Sequence, residues 1–472
     1  GLIVGFIFSK LVRERRPLGP PDTILMVQTA SEPPTARSGL LSTFAAIVSL
    51  GSGASVGQYG PMVYLGTLVG AVADKLRLDI PNIRAIGIAS GVAAAIATAF
   101  NAPIAGLVFA HDVILRHCSI QAFAPTTVAA ATGYVVANVI FEQPPLFRVA
   151  FDGVQHGYEF ALFALVGILS ALLALIYMKA ILQAAAFAAR SGIPAAFRPM
   201  LAGLILGFVA LGLPDVLGIG KETLRFATID GAFGIGELSL ILIAKIAVTA
   251  LCLGFGFAGG VFSPALLIGI LFGALFGSAI DQLTPIVHSG MVPYAICGMM
   301  AVTSPVIGAP LATILIVFEL TRSYDLTIAA MVSVVFANLV SYRLFGRSLF
   351  DEQLRNRGFD LSLGRGSAIL AERRISELMH DDFLSFAPQD KVSDALKQLA
   401  SNGRSEGLVI GAEGNYLGIV RLQSCVAHKS SSTVSDVADT GALQFDENTS
   451  IWRAMESFRE FVGEMAPVVS TD

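Results

Sequence analysis

Charge is scarce in this chain. Of 472 residues only 14% are Asp, Glu, Lys or Arg, while 54% are hydrophobic. Four stretches of more than 25 residues carry no charge at all: Ser38–Ala73 (36 residues), Ala85–His111 (27), Ile246–Ile280 (35) and Gln282–Phe318 (37). An ordinary soluble domain carries charge on about a quarter of its residues, so that class is excluded. About 20 apolar residues cross a bilayer, so most of these stretches hold more than one pass or a pair of half-helices. Cysteine is also scarce. Cys118, Cys252, Cys297 and Cys425 are scattered without a Cys-x-x-Cys pair, which excludes a disulfide framework and reads as free thiols. The histidines form no metal-spaced cluster, and neither a P-loop nor a nucleophile–base arrangement is present. The chain therefore does not read as an enzyme, and no cofactor or metal is called for. Its net charge of −4 is segregated rather than patched, which gives no footprint for nucleic acid. No cleavable signal peptide is legible. The abrupt apolar start reads as part of a longer chain.

The charges that exist sit in two kinds of place. Basic clusters at Lys10–Arg16 and at Arg343, Arg347, Arg355 and Arg357 mark cytoplasmic ends. Near Phe350 the composition turns polar. The boundary is expected between 350 and 370, with a membrane domain over 1–350, a linker over 351–374 and a cytoplasmic α/β region after it.

Glycine is plentiful, with 47 residues, and its placement repeats. "LGSGASVGQYGPMVYLG" from Leu50 aligns with "LGFGFAGGVFSPALLIG" from Leu253. Leu50, Gly51, Gly53, Gly57, Pro61, Gly66, Gly70 and Ala71 fall on Leu253, Gly254, Gly256, Gly260, Pro264, Gly269, Gly273 and Ala274, at an offset of 203. Tyr59 falls on Phe262. A second pair follows at an offset of 207, "APIAGLVFAHDV" from Ala102 and "APLATILIVFEL" from Ala309, placing Asp112 on Glu319. Two matches in one order imply a duplicated half, with halves at about 1–190 and 191–350. Interrupted apolar segments at matching places in two halves point to a transport site near the midplane. Glycine-rich breaks are tolerated in lipid depth only where the freed backbone groups line a cavity or are buried in protein. Each break runs into a helix with proline in its first turn, where a missing N–H costs nothing. The free amides and the positive end of the dipole suit an anion. The plainer explanation is close helix packing, and Gly66-x-x-x-Gly70 and Gly269-x-x-x-Gly273 are expected to serve that purpose.

At this point the sequence resembles the CLC family of chloride channels and chloride/proton antiporters over nearly its whole length. "GQYGP" (Gly57–Pro61) stands where the family has G(K/R)EGP, and "GGVFSP" (Gly259–Pro264) matches GxFxP. "FNAPIAGLVFAHDV", "GAPLATILIVFEL" and "GRSLFDEQLRNRG" resemble the helices that follow each motif and the exit from the membrane. The resemblance implies an all-α membrane fold of two inverted-topology repeats of short tilted helices, assembled as a homodimer in the lipid bilayer. The implied anion pathway comprises Gly57, Gln58, Tyr59, Gly60, Gly260, Val261, Phe262 and Phe350. Leu18 and Gly19, in "PLGPPD", stand in the place of the early GSGIP motif.

The departures from the family matter more. Tyr59 stands where a gating, proton-carrying glutamate is expected, and Gln58 where a basic residue is expected. Asp112 is followed by Val113, as in the family's channels, where antiporters have a second glutamate. Leu18 and Phe350 stand where a serine and a tyrosine supply hydroxyls to the anion. A phenol titrates near 10, so Tyr59 cannot carry protons as a carboxylate does, and Val113 carries none. The expectation is anion transport, chloride first, as a channel or an uncoupled transporter, with backbone N–H groups as the main ligands. The alternatives are an antiporter coupled through His111 or Asp112, a transporter of nitrate, fluoride or bicarbonate, and a sensor sealed by Tyr59. A divalent-cation channel is discounted, because the breaks offer no carboxylate.

Asp112 and Glu319 each end an apolar helix, so a helix-capping role stands beside a functional one. Lys245 splits an apolar run and is expected to snorkel to an interface. The region Ile375–Leu422 resembles a CBS domain, with a hairpin around "AEGN". The first copy spans 375–428, and a second, incomplete copy spans 434–472. Such pairs bind adenine nucleotides in many proteins through a Ser/Thr and an Asp, but Arg421 and Ser424 occupy those places. Packing and dimerisation are the favoured reading for this region, and an adenine nucleotide is its alternative partner.

Overall fold

The computed structural model describes residues 1–29, 34–76, 80–142, 151, 153–229, 231–283, 287–361, 370, 373–429 and 431–470. The chain divides into two compact units, Gly1–Gly358 and Phe359–Asp472. Much of the expected linker, 362–369 and 371–372, lies outside the described residues.

The first unit is helical. Its first series is α1 (Leu2–Phe6), α2 (Pro20–Thr29), α3 (Ala36–Gly51), α4 (Tyr59–Ala71), α5 (Ile83–Phe100), α6 (Pro103–Phe109) and α7 (Ile120–Val135). A long helix follows, α8 (Glu159–Arg190). The second series is α9 (Arg198–Gly212), α10 (Lys221–Phe226), α11 (Ile235–Gly254), α12 (Phe262–Leu283), α13 (Met291–Ile307), α14 (Pro310–Thr321) and α15 (Tyr324–Phe345), closed by α16 (Leu349–Arg355). Six helical spans of the described residues are long and apolar enough to cross a membrane, and several shorter apolar helices stand between them.

The two series share their stop and start signals. Proline opens both α6 and α14, where the first N–H has no helical partner to lose. Ser119 and Ser323 cap α7 and α15, accepting from the amides of Ala122 and Leu326. The small-residue seams repeat as well. A Cβ added at Gly66 or Gly70 of α4 would lie 2.3 Å from Gly91 O or 2.1 Å from Gly87 O of α5. One added at Gly269 or Gly273 of α12 would lie 2.5 Å from Gly298 O or 2.1 Å from Tyr294 O of α13. These glycines let backbones touch, as their spacing predicts. The long helix α8 packs against α11, α13 and α15. A division of the halves before Glu159 therefore fits the packing better than one at residue 190.

Lys245 departs from expectation. It is fully buried on α11, and its Nζ donates to the carbonyls of Val216 (2.9 Å) and Gly218 (2.8 Å). It snorkels nowhere. The two carbonyls satisfy the ammonium inside the protein.

The second unit holds a three-stranded sheet. β1 (Ser385–Phe386) pairs parallel with β2 (Glu406–Ile410), which pairs antiparallel with β3 (Tyr416–Arg421). The β2–β3 hairpin turns through the expected "AEGN", with Gly414 at φ +83°. α17 (Val392–Ser401), α18 (Leu422–Ala427) and α19 (Val434–Val437) cover the sheet, burying Phe386, Val409, Val420 and Val434 in one core. The rest of this unit is slighter: β4 (Phe445–Asp446) and β5 (Val468–Val469) pair parallel around α20 (Ile451–Ser457).

Candidate functional site

Both glycine breaks turn at the same place. Gly53, after α3, has φ +83°, and Gly256, after α11, has φ +93°, a conformation that suits glycine alone. The breaks then meet. Gly57 N donates to Gly260 O and Gly260 N donates to Gly57 O, each at 2.7 Å, forming an isolated antiparallel bridge. A Cβ on Gly57 would lie 2.7 Å from Gly260 O, and one on Gly60 would lie 2.9 Å from Gly260 Cα. The glycines are there to let the two breaks touch. A polar strip on α11 holds the first break: Thr249 Oγ1 lies 2.9 Å from Ser55 Oγ. Gly218, whose carbonyl binds Lys245, donates its amide to Gly53 O at 2.9 Å.

Tyr59 and Phe262 open α4 and α12 from this bridge and bring their rings together. Their centroids are 5.3 Å apart and the planes nearly perpendicular, at 75°. Phe100, the last residue of α5, completes the cluster at 4.1 Å from Tyr59 and 4.9 Å from Phe262. All three rings are buried. Gln58 reaches the Tyr59 phenol with its side chain. The sequence carries no signal for Phe100, whose counterpart in the repeat is Ile307.

A cavity of about 760 Å³ runs up to this cluster. Of the ten sequence-predicted pathway residues, Leu18, Gly19, Tyr59, Gly60, Gly260, Val261, Phe262 and Phe350 line it, and Gly57 and Gln58 do not. The cavity therefore stops at the bridge. Arg15, Arg16, Arg198 and Arg357 line it as well, against a single acid among the described residues, Asp22. Asp22 is buried and ion-paired with Arg16 (2.5 Å) and Arg357 (3.1 Å), which leaves the wall with an excess of positive charge.

The backbone at Leu18 and Gly19 is not free to bind. Leu18 N donates to Ser42 Oγ at 3.0 Å, and Gly19 N donates to Asp22 Oδ2 at 2.9 Å. Gly57 and Gly260 have engaged their amides with each other. The expected set of N–H ligands thus shrinks to the first turns of α4 and α12, whose amides have no partner within their own helices.

Asp112 and Val113 lie elsewhere. They line a second cavity of about 720 Å³, together with His111 and the Arg116–Asp351 ion pair (2.5 Å). The two repeat-related carboxylates form a crossed pair. Glu319, on α14, accepts the amides of Ile104 (2.9 Å) and Ala105 (2.8 Å) at the start of α6. Asp112, beyond the end of α6, faces the amides of Leu311 and Ala312 at the start of α14. The second contact is looser, because Asp112 Oδ2 is buried without a hydrogen-bond partner. His111 is held between Thr126 Oγ1 and the His117 carbonyl, each at 3.3 Å. Among the described residues no group of three His, Cys, Asp or Glu could hold a metal ion.

In the second unit Arg421 is committed. It donates to Glu406 (2.9 Å) and Asp439 (2.9 Å), and Glu406 also accepts the amides of Glu464 and Met465. The guanidinium therefore links the two CBS-like copies and already has carboxylate partners.

Comparison with known proteins agrees with this geometry. Residues 1–342 match the voltage gated chloride channel family and residues 375–430 the CBS domain. A ClcB-like protein of Ralstonia nicotianae, named for a chloride channel, is 29% identical over 340 residues, 71% of this chain and 79% of that one. The H+/Cl− exchange transporter ClcA of Vibrio parahaemolyticus is 31% identical over 319 residues, 66% of this chain and 68% of that one. The crystal structure of a slow cyanobacterial Cl−/H+ antiporter shares the fold, with a TM-score of 0.66 at 22% identity, over 75% of this chain and 84% of its own. Two glycine breaks joined by repeat symmetry, a positively lined cavity ending on them and a family match over most of the length lead to one assignment: the chain belongs to the CLC family of voltage-gated chloride channels, as an integral membrane protein with a cytoplasmic CBS region.

Proposed function

We propose that this protein passes small inorganic anions, chloride first, through each subunit of a homodimer without moving protons in exchange. One observation carries the reading. The residue in the gating position, Tyr59, is a phenol packed between Phe100 and Phe262 at the inner end of a cavity whose only acid, Asp22, is clamped by two arginines. Among the described residues that line the cavity, no other carboxylate stands to compete with an anion or to shuttle a proton. Gln353, Asn356 and Arg357, from the end of the membrane unit, line the cavity, which supports reading it as the cytoplasmic approach. Its arginines draw anions inward. The CBS region serves packing and dimerisation, with Arg421 engaged in a carboxylate cluster rather than open to a nucleotide phosphate.

The test is flux in proteoliposomes, with chloride efflux and internal pH followed together. A chloride gradient is expected to drive anion movement with no proton movement beyond the leak. Nitrate, fluoride and bicarbonate in the same assay rank the anions. A second reading, coupled exchange, draws on Asp112 and His111, which line a separate cavity. Uphill proton movement that disappears in Asp112→Asn would establish it and displace the first.

A further inference from the structure

The loss of hydroxyls at Leu18 and Phe350 leaves the pathway without the side-chain donors that the resemblance leads one to expect. One hydroxyl nearby has no task. Ser263 is the second residue of α12, only 5% exposed, and its Oγ is buried with no hydrogen-bond partner among the described residues. Its position explains why. Serines inside a helix bond back to the carbonyl four residues earlier, as Ser49 and Ser90 do to Ala45 and Ile86. For Ser263 that residue is Gly259, which lies in the break before the helix begins. A buried hydroxyl left alone is costly, so native structures rarely keep one.

The hydroxyl points to a defined place. A Cβ built on Gly57 would lie 3.0 Å from Ser263 Oγ, so the hydroxyl stands against Gly57 across the bridge. Gly57, Gln58 and Ser263 are absent from the wall of the cavity that Gly60 and Gly260 line. The hydroxyl therefore stands at the bridge itself, outside the wall of that cavity. Ser263 stands in the first turn of a 22-residue helix, where amides without a helical partner and the positive dipole end lie.

We propose that Ser263 supplies a hydroxyl ligand for a monovalent anion at the Gly57–Gly260 bridge, and that this ligand sets the preference among anions. The inference rests on the transport reading above. An O–H donor aimed at an anion forms a charge-assisted bond. Such a bond compensates chloride or bromide, which lose tightly held water, more than thiocyanate, which holds water weakly. Removing it tilts the pathway toward thiocyanate.

Two measurements on the full chain test this. The first is the chloride-to-thiocyanate flux ratio of wild type, Ser263→Ala and Ser263→Thr in proteoliposomes. The ratio is expected to fall about tenfold in Ser263→Ala, the effect of one hydrogen bond to a charged group, and to recover in Ser263→Thr. The second is anomalous scattering from crystals grown in bromide, with a peak expected within hydrogen-bond distance of Ser263 Oγ. An unchanged ratio in Ser263→Ala, or bromide bound along the pathway but not at Ser263, overturns the assignment. Absence of flux for every anion in wild type would sink the transport reading instead, and the bromide experiment would still decide whether Ser263 is a ligand.

Discussion

Gly57 and Gly260 exchange both of their backbone hydrogen bonds, at 2.7 Å in each direction, although they stand 203 positions apart in the chain. The bridge joins equivalent residues of the two repeats, so it lies on the relationship that maps one half onto the other. It holds the first turns of α4 and α12 together, and the Tyr59 and Phe262 rings are placed from it.

Any side chain at the bridge should therefore damage both stability and flux. In Gly260→Ala the new methyl would lie 2.7 Å from Gly60 N, and in Gly57→Ala 2.7 Å from Gly260 O. Backbone cannot yield as a flexible side chain does, so each substitution is expected to cost about 1–3 kcal/mol. Gly51→Ala is the control, since a Cβ there meets nothing within 4 Å. Thermal unfolding in detergent should show a lowered midpoint for the two bridge variants and none for Gly51→Ala.

The crossed carboxylates give an asymmetric expectation. Glu319 holds two amides at 2.9 and 2.8 Å, while Asp112 keeps one oxygen without a partner. Glu319→Ala leaves two helix-start donors without an acceptor and should cost about 1–3 kcal/mol. Asp112→Ala should cost clearly less. Equal shifts in the unfolding midpoint would contradict the asymmetry.

The breaks, the repeat and the aromatic at each helix start were legible because glycine and proline act locally. They mark a helix break wherever they stand, and the offset does the rest. What was not legible depends on contacts far apart in sequence. Nothing at Leu18 or Gly19 indicates that Ser42 and Asp22 occupy their amides. Nothing at Gly57 indicates that its N–H faces another glycine rather than a ligand. Lys245 reads as a residue bound for an interface, because its carbonyl partners come from a loop 27 and 29 residues away. Phe100 is one more apolar residue in an apolar helix until the fold sets it against Tyr59.

The cytoplasmic region should resist mild acid and then fail. Glu377 is held below the ordinary glutamate range by its hydrogen bond to Arg373 and by the Arg374 amide. Asp436 is lowered by the Thr433 amide and hydroxyl of a capping box, and Glu464 by Ser405. A carboxylate lowered by folding adds stability that is fully present above its unfolded value, near 4, and that is lost as pH falls through the folded value. Trp452, the sole tryptophan, lies in α20 of this region. Its emission is expected to hold from pH 7 to about 4 and to shift below that. A transition centred between pH 5 and 6 would show that other groups control the region.

Tyr59 is the position where stability and flux should part. Its ring fills the space between Phe100 and Phe262, with centroids 4.1 and 5.3 Å away. Tyr59→Ala removes that ring from a buried cluster and should cost about 3–5 kcal/mol. The same change widens the inner end of the cavity, so anion flux should rise even as the protein weakens. Tyr59→Phe keeps the ring and loses only the phenol beside Gln58, so both flux and unfolding should stay near wild type. Tyr59→Glu puts a carboxylate into the aromatic cluster, yet Val113, in the separate cavity, offers a proton no relay. Anion flux should become pH-dependent in Tyr59→Glu while proton movement stays at the leak. Proton exchange appearing in that variant would mean that Asp112 or His111 already completes a route. Flux unchanged in Tyr59→Ala would mean that anions do not pass the aromatic cluster.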